Sequence, residues 1–476
     1  MAFWSRRKPI GTTEPEGPYK LRRTLEWPHL VALGVGAIVG TGIYALIGIA
    51  AGTAGPAVMI SFAVVGLVCA CVALSYAELA AMMPVAGSAY TYSYSALGEL
   101  IAWIIGWALI LEYTVAASAV AVGWSGYAVN FLAQIGFPLP APITTGLEAG
   151  GAVNLPAIVI IWIVAGLLIL GARESATVNN VLVIIKLVAL GAFIVIAAPH
   201  FNPTNFEPFA PFGYGSTSSG DAKVGMMAAA AIIFFAFYGF DAVSTAAEET
   251  KNPGRDMVIG IIGSMLVCTL LYMAVAAVAL GAMAFPQFAK SREPLAYILQ
   301  ALGQSLAAGV IRTAVIIAVP SVILALMYGQ SRIFFVMARD GLLPRGMGRV
   351  HGRLGTPVVM TMAVAVVCSL LAGLLPLKDI ALLANAGTLA AFTAVAASLL
   401  VLRVREPQRT RPFKAPAPWI VGPFAIFGCL YLFTSLTQRT MTWFFIWMAS
   451  GLVVYFLWGV RKSVLARGGA APSSPA

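Results

Sequence analysis

Four ionisable side chains stand inside long apolar stretches of the sequence, at Glu78, Glu112, Lys186 and Asp241. Ionisable groups inside a membrane are costly, and they usually pair with one another or carry a proton or an ion. Lys186 is the strongest candidate for proton transfer, because burial destabilises the charged amine and makes its proton easier to lose. The alternative is a structural ion pair with Glu112 or Asp241. Glu78, near the end of its stretch, can instead reach the interface or cap a neighbouring helix.

The remaining polar chemistry of the sequence is sparse. The three histidines, His29, His200 and His351, lie at the edges of apolar stretches, so a proton relay at mid-depth would use lysine or glutamate. The five cysteines are scattered through apolar segments without the spacing of a metal site or a disulfide framework, which is typical of small core residues. No nucleophile and base stand together in a catalytic motif. We therefore predict no catalytic residue, no metal and no cofactor.

Glycines are concentrated in the first apolar stretch, where GVGAIVGTGIY carries four of them, at positions 34, 36, 40 and 42. A glycine in a helix interior costs about 1 kcal/mol relative to alanine, so this placement needs a reason. A nucleotide-binding loop is excluded, since no strand precedes the stretch. Close helix packing through Gly36 and Gly40 is one interpretation. A break in a membrane helix is the other, and we favour it, although some of these glycines can serve both purposes.

A second interruption supports the interpretation as a break. The stretch FFAFYGFDA places Gly239 and Asp241 at the middle of the sixth apolar segment. Paired interruptions at corresponding positions are the best sequence pointer to a transporter binding site. A half-helix N-terminus at the first break suits a carboxylate, and free carbonyls before Gly239 suit an ammonium group. Together the two breaks predict a site for an α-amino acid.

Composition indicates that these residues lie in a membrane protein. Of the 476 residues, 60% are hydrophobic and only 10% are charged, and the mean hydropathy is +0.91, which is typical of a polytopic membrane protein. The charged arm before the first stretch lacks the cleavage site of a signal peptide, so we expect that stretch to remain as a true span. The segment 292–303 is too short to span and is predicted to be a surface helix. Twelve spans are predicted, at 29–53, 57–82, 98–133, 154–172, 176–197, 223–249, 257–283, 307–338, 357–375, 379–402, 418–437 and 441–460.

Lysine and arginine are distributed unequally between the two predicted faces of the membrane. With the N-terminus in the cytoplasm, 22 lie on the cytoplasmic side and six on the opposite side, while Lys186 lies within a span. This bias predicts that both termini are cytoplasmic. It explains the net charge of +11 by membrane topology, so no nucleic-acid partner is predicted. The tail after residue 460 is basic and of low complexity, and we predict that it is disordered.

Five stretches of the sequence resemble one transporter superfamily. They are LGVGAIVGTGIYALIG, YAELAAMMPVAGSAYTYSYSALGELIAWIIGW, EYTVAASAVAVGWSGY, FYGFDAVSTAAEETKNPGRDMVIGI and YGQSRIFFVMARDGLLP. Together they make the chain, over roughly residues 20 to 460, similar to the amino acid–polyamine–organocation superfamily. The resemblance is greatest to the bacterial relatives of the cationic amino acid transporter family.

This resemblance implies an all-α membrane protein with the fold of the leucine transporter. In that fold two inverted five-helix repeats are followed by two further helices, and helices 1 and 6 are broken. The implied divisions are a cytoplasmic arm at 1–28, a first repeat at 29–200, a second repeat at 201–405, helices 11 and 12 at 406–460 and a cytoplasmic tail at 461–476.

The resemblance also implies roles for particular residues. The substrate carboxylate would be held by backbone of the first break, around Ile38, Gly40, Thr41 and Gly42. The substrate amine would be held by carbonyls in the sixth span, those of Phe235, Ala236 and Tyr238. Phe235 also acts as an aromatic gate. Lys186 occupies the place where sodium-coupled relatives hold a cation, and it is a candidate for proton coupling together with Glu112. Tyr238 departs from the family pattern, where this position is often aliphatic, so it narrows the pocket or adds a hydroxyl.

The predicted function is proton-coupled import of a free amino acid across the bacterial cell membrane by a monomer embedded in the lipid bilayer. A small neutral amino acid such as alanine is favoured, because we find no acidic group reserved for a basic side chain. Transport of arginine or lysine, and amino acid exchange such as arginine–agmatine or glutamate–amine antiport, stay open as alternatives. A membrane enzyme or a receptor is disfavoured, since the sequence has neither catalytic motifs nor an output domain. We expect Gly42→Val to abolish transport while leaving folding nearly intact.

Overall fold

The computed structural model describes residues 6–10, 25–85, 87–170, 176–219, 222–348, 351 and 356–467 of the chain. Most of the predicted N-terminal arm and the end of the predicted disordered tail lie outside these residues. Arg173, which the charge count places in a cytoplasmic loop, also lies outside them.

The first half of the described chain is almost entirely helical. Between its first two helices lies an irregular turn followed by a π-helical segment at Gly42–Leu46. The helices are α1 (Trp27–Ile38), α2 (Ile47–Ala54), α3 (Val58–Met82), α4 (Ser88–Ala96), α5 (Glu99–Gln134), α6 (Leu155–Ile169) and α7 (Ala176–Ala197).

The second half begins with a short hairpin, in which β1 (Thr217–Ser219) pairs antiparallel with β2 (Ala222–Val224). Twelve helices follow: α8 (Met226–Ile233), α9 (Phe240–Thr245), α10 (Pro253–Ala282), α11 (Phe285–Phe288), α12 (Pro294–Ala301), α13 (Ser305–Ala318), α14 (Pro320–Arg339), α15 (Val358–Leu374), α16 (Leu377–Arg405), α17 (Pro418–Thr434), α18 (Gln438–Val454) and α19 (Val460–Lys462). A second π-helical segment, Tyr455–Gly459, lies between α18 and α19.

Eight helical segments of the described residues are long and apolar enough to cross a membrane, and three shorter apolar helices, α6, α15 and α17, accompany them. The longest segment, Trp27–Met82, runs for 56 residues, and the chain turns within it at Gly55, where φ is +67°. The prediction of a mostly helical polytopic membrane protein is confirmed. The count of twelve spans and their inverted repeat stay predictions.

Three local features differ from the sequence-based predictions. The predicted span 307–338 is two helices, because Pro320 has no N–H to donate and starts a new helix after α13. The predicted surface helix at 292–303 is α12, which exposes Tyr297 on one side but buries its apolar side, with Leu295 and Leu299 fully buried. Helix α4 was not predicted; all of its residues are buried, yet most are serine, threonine or tyrosine and form no apolar run.

Glu78 joins the end of α3 to the last turn of α16 and to the segment that follows it. Its side chain is 1% exposed, and it forms ion pairs with Arg403 at 2.6 Å and Arg411 at 3.1 Å. It also accepts a hydrogen bond from the backbone N–H of Ala415 at 2.8 Å. Glu78 therefore has a structural role, since its partners all lie within the protein. Contact with a neighbouring helix was one of the alternatives for this residue in the sequence analysis.

Glu78→Ala is expected to lower the free energy of unfolding by about 3–5 kcal/mol, because it leaves the buried guanidinium of Arg411 and the partly buried one of Arg403 without their carboxylate. The melting temperature of the purified protein checks this. Glu148→Ala is the matched control: Glu148 also pairs with an arginine, Arg439, at 2.6 Å, but both side chains are well exposed, and exposed pairs contribute little. Equal melting temperatures for the two variants would contradict a structural role of Glu78.

The described N-terminal segment, residues 6–10, contacts the ends of two long helices. The ammonium of Lys8 pairs with Asp340, directly after α14, at 2.9 Å. Arg6 pairs with Glu99, the first residue of α5, at 3.4 Å. This short segment therefore holds α5 and α14 together at one end of the molecule.

Candidate functional site

The first helix is interrupted within the glycine-rich stretch. Helix α1 ends at Ile38, Val39 takes up a non-helical ψ of 94°, and the chain continues as a π-helix from Gly42. The last carbonyls of α1 therefore lose the amide donors that a continuous helix would supply. That of Ile38 instead accepts a hydrogen bond from the hydroxyl of Tyr272 in α10, at 2.9 Å. The interruption predicted for the first span is present.

The sixth predicted span is interrupted as well. Helix α8 ends at Ile233, a single 3-10 turn follows at Phe234–Ala236, and Gly239 takes up a φ of +120° before α9 begins. Side chains other than hydrogen rarely tolerate this conformation, which explains the glycine. Asp241 accepts hydrogen bonds from the N–H of Gly239 at 3.1 Å and from the hydroxyl of Tyr113 at 3.4 Å. Asp241 thus stabilises the interruption itself.

The two interruptions cross in direct contact. A Cβ on Gly42 would lie 2.4 Å from the Cα of Ala236, and a Cβ on Gly239 would lie 2.8 Å from the carbonyl carbon of Ala37. Both distances are far below van der Waals contact, so only glycine allows each chain to approach the other this closely. These two glycines therefore serve packing as well as interruption.

A small cavity lies where the two interruptions cross, with a volume of about 30 Å³. That is room for roughly two water molecules. Six of the seven residues predicted to contact substrate line it, namely Ile38, Gly40, Thr41, Gly42, Phe235 and Tyr238. The seventh, Ala236, packs against Gly42 instead. The structure thus brings residues from two distant parts of the chain to one place.

Several residues that line this cavity were missed by sequence reasoning. Tyr113 in α5 had the clearest signal in the sequence, because it directly follows the candidate residue Glu112. Val322, Ala325 and Leu326 line the cavity from α14. They are apolar residues of an apolar helix, and nothing in their type or spacing distinguishes them from core residues.

The cavity adjoins a larger vestibule of about 310 Å³. The two spaces share four lining residues, Ala37, Tyr113, Ala242 and Ala325. Farther from the cavity the vestibule is lined by His29 near the start of α1 and by Glu249 and Arg332, which form an ion pair at 2.9 Å. The vestibule therefore leads from the crossing point toward the side of the protein where α1 begins.

Lys186 lies behind the first interruption. Its side chain is 1% exposed, and its ammonium donates to the carbonyl of Gly36 at 2.8 Å and to Oγ of Ser321 at 3.1 Å. Gly36 belongs to the last turn of α1, where the partial negative charge of a helix C-terminus favours a cation. Lys186 therefore joins α7 to the broken end of α1 and to the start of α14.

Two polar atoms at the cavity lack partners. Glu112 in α5 and Tyr238 before α9 both line it, and their side chains are almost fully buried, at 2% and 5% exposure. Neither Oε2 of Glu112 nor the hydroxyl of Tyr238 has a hydrogen-bond partner among the described residues. Buried polar atoms without a partner are rare in native proteins. A polar ligand or a water molecule in the cavity would give these two atoms a partner.

The sequence is similar to known membrane transporters over most of its length. The profile of a family described as amino acid permease matches residues 25–458. A branched-chain amino acid permease of Bacillus subtilis (strain 168) is 46% identical over 94% of this chain and 96% of its own length. A methylthioribose transporter of the same strain is 42% identical over 98% of this chain and 100% of its own length. A vacuolar cationic amino acid transporter of Arabidopsis thaliana is 36% identical over 84% of this chain and 67% of its own length.

Proposed function

Because the chain belongs to the amino acid permease family, and is therefore a membrane transporter and not an enzyme, we propose that it imports a free amino acid through the cavity between its two interruptions. The crossing of the interruptions carries this proposal. Amides that follow the first break, around Gly40 and Gly42, would hold the carboxylate. Carbonyls of Phe235, Ala236 and Tyr238 would hold the amine, and Phe235 would act as the gate. Two oppositely polarised backbone ends meet there, as an α-amino acid requires.

The proposed architecture has twelve spans. The segment Trp27–Met82 counts as two passes on either side of Gly55, and α6, α15 and α17 join the other seven long segments. The proposed inverted repeats are residues 29–200 and 201–405, flanked by the arm at 1–28, helices 11 and 12 at 406–460 and the tail at 461–476. In the proposed orientation both termini are cytoplasmic, so the vestibule opens to the cytoplasm.

We further propose that protons drive the import and that Lys186 carries the coupling. Its ammonium occupies a position at the broken end of α1 where a bound cation would be stabilised. When protonated it ties α7 to α1 and favours one facing state; when neutral it releases that tie. Glu112 is the second candidate for coupling, because one oxygen of its buried carboxyl, Oε2, has no hydrogen-bond partner among the described residues and can accept a proton.

A small neutral amino acid such as alanine is the proposed substrate. Asp241 is already used by the backbone of the second interruption, so it is not free to pair with a cationic side chain. One observation favours the alternative, transport of arginine or lysine: the unpartnered Oε2 of Glu112 is a possible anchor for a cationic side chain. Exchange in place of proton-driven import is the other alternative, and the two differ in whether flux needs a counter-substrate.

Uptake by proteoliposomes tests these proposals. Twenty amino acids are offered with and without an imposed pH gradient, and no amino acid is loaded inside. We expect concentrative uptake only with the gradient, and stronger competition by alanine than by arginine or lysine. Stronger competition by arginine or lysine would transfer the proposal to a cationic substrate, and uptake that requires an internal amino acid would establish exchange.

A further inference from the structure

We propose that Tyr238 and Glu112 form a polar end of the substrate cavity that recognises a hydroxyl group on the substrate side chain. The inference rests on the proposed transport of a small neutral amino acid, and it changes the favoured member of that class from alanine to a hydroxy amino acid such as serine or threonine. The two side chains come from different parts of the chain, α5 and the second interruption, and line the same cavity.

The position of the Tyr238 hydroxyl is well defined. The Tyr238 ring packs edge-on against Phe235, with ring centroids 4.9 Å apart, and the backbone after it is fixed by Gly239 at φ +120°. Such aromatic pairs hold a preferred relative orientation. The ring that carries the hydroxyl is therefore held in one orientation beside the cavity.

The other polar groups of the cavity wall are already used. The hydroxyl of Tyr113 donates to Asp241, and Oγ1 of Thr41 donates to the carbonyl of Val120 at 3.1 Å. Asp241 also accepts from the Gly239 N–H. Tyr238 and Glu112 differ from these neighbours, because each retains a polar atom without a partner among the described residues.

A hydroxyl group fits this pair better than a methyl group or a cationic chain. It is both a donor and an acceptor, so it can bond to the Tyr238 hydroxyl and to Glu112 whether the carboxyl is protonated or not. A methyl group in the same place would leave both atoms unpaired, which is unfavourable in a buried site. The ammonium of lysine and the guanidinium of arginine have donors but no acceptor, so neither can accept a hydrogen bond from the Tyr238 hydroxyl.

Pairs of isosteric amino acids test the inference. Threonine and valine differ by one hydroxyl in place of a methyl, as do serine and 2-aminobutyrate, so their affinities for the purified full-length protein isolate the hydroxyl. By titration calorimetry we expect threonine to bind about tenfold more tightly than valine, the effect of one or two added hydrogen bonds. Tyr238→Phe should bring this ratio close to one, and Glu112→Gln should reduce it.

Tyr113→Phe is the matched control, because it also removes a hydroxyl at the cavity, but one that is already bonded to Asp241. In this variant the ratio of the threonine affinity to the valine affinity should be the same as in the wild type. Equal binding of threonine and valine by the wild type, or a ratio unchanged by Tyr238→Phe, would overturn the inference and leave amino acid transport standing. If no free amino acid binds at all, the proposed function itself fails. If Tyr238→Phe does not fold, Glu112→Gln alone decides, and an unchanged ratio there also overturns the inference.

Discussion

Lys186→Ala is expected to abolish uptake driven by a proton gradient while substrate binding stays measurable. The substitution removes the ammonium that joins the Gly36 carbonyl and Ser321, and with it the interaction that would favour one facing state. Coupling between two sites is typically about 1–3 kcal/mol, or roughly 5- to 150-fold, so we expect gradient-driven uptake to fall by about a hundredfold. Proteoliposome flux with and without a pH gradient, together with calorimetric binding on the same preparation, measures both quantities.

Lys223→Ala is the matched control for this experiment. The Lys223 ammonium also donates to a backbone carbonyl, that of Thr434 at 2.6 Å, but it lies in the hairpin away from the cavity, and its removal should leave uptake unchanged. If the role of Lys186 were purely structural, Lys186→Ala would instead lower the melting temperature and the binding affinity together. Concentrative uptake by the Lys186→Ala protein would exclude Lys186 from coupling, and Glu112 would become the leading candidate.

Gly42→Val is expected to prevent stable folding, not merely to block transport. A Cβ at this position would lie 2.4 Å from the Cα and 2.5 Å from the Cβ of Ala236. The obstacle is backbone of another helix, which cannot rotate away as a flexible side chain can, so the cost should exceed about 3 kcal/mol, the upper part of the range for overpacking. The yield of monodisperse protein and its melting temperature measure this. The expectation of nearly intact folding is thus revised.

Gly40→Ala separates folding from binding. A Cβ on Gly40 would lie 3.4 Å from Cγ2 of Val322, an ordinary contact, while the added methyl would occupy a wall of the substrate cavity. We expect this variant to fold with a near-normal melting temperature and to lose substrate affinity by at least about tenfold. A Gly42→Val protein as stable as Gly40→Ala would contradict the close crossing of the two interruptions.

The two interruptions could be predicted from the sequence because their causes are local. Glycines at positions 34 to 42 and at 239 weaken a helix wherever they occur, and their mid-span position is visible in a hydropathy plot. The six cavity residues that belong to the interruptions could be predicted for the same reason, since they neighbour these glycines in sequence. The role of the Ala236 carbonyl stays a prediction, because a position next to a break can face either the ligand or the crossing chain.

The partners of the buried charges could not be predicted, because they lie far away in sequence. Glu78 meets Arg403 across 325 positions, and Asp241 meets Tyr113 across 128. No period or motif encodes such a pairing. Helix α4 was missed for another reason. It is buried, but it consists mostly of serine, threonine and tyrosine, and a sequence of these residues looks the same as that of a polar loop.

The Lys8–Asp340 ion pair has a consequence for biosynthesis. Its members are 332 positions apart, and a ribosome adds about 5–20 residues per second, so Asp340 is made roughly 15–70 s after Lys8. During that interval the nascent chain carries Lys8 as an uncompensated cation while its first spans enter the bilayer. The same side chain can therefore act first as a topological charge that retains the N-terminus in the proposed cytoplasmic orientation, and only later as a structural partner in the finished protein.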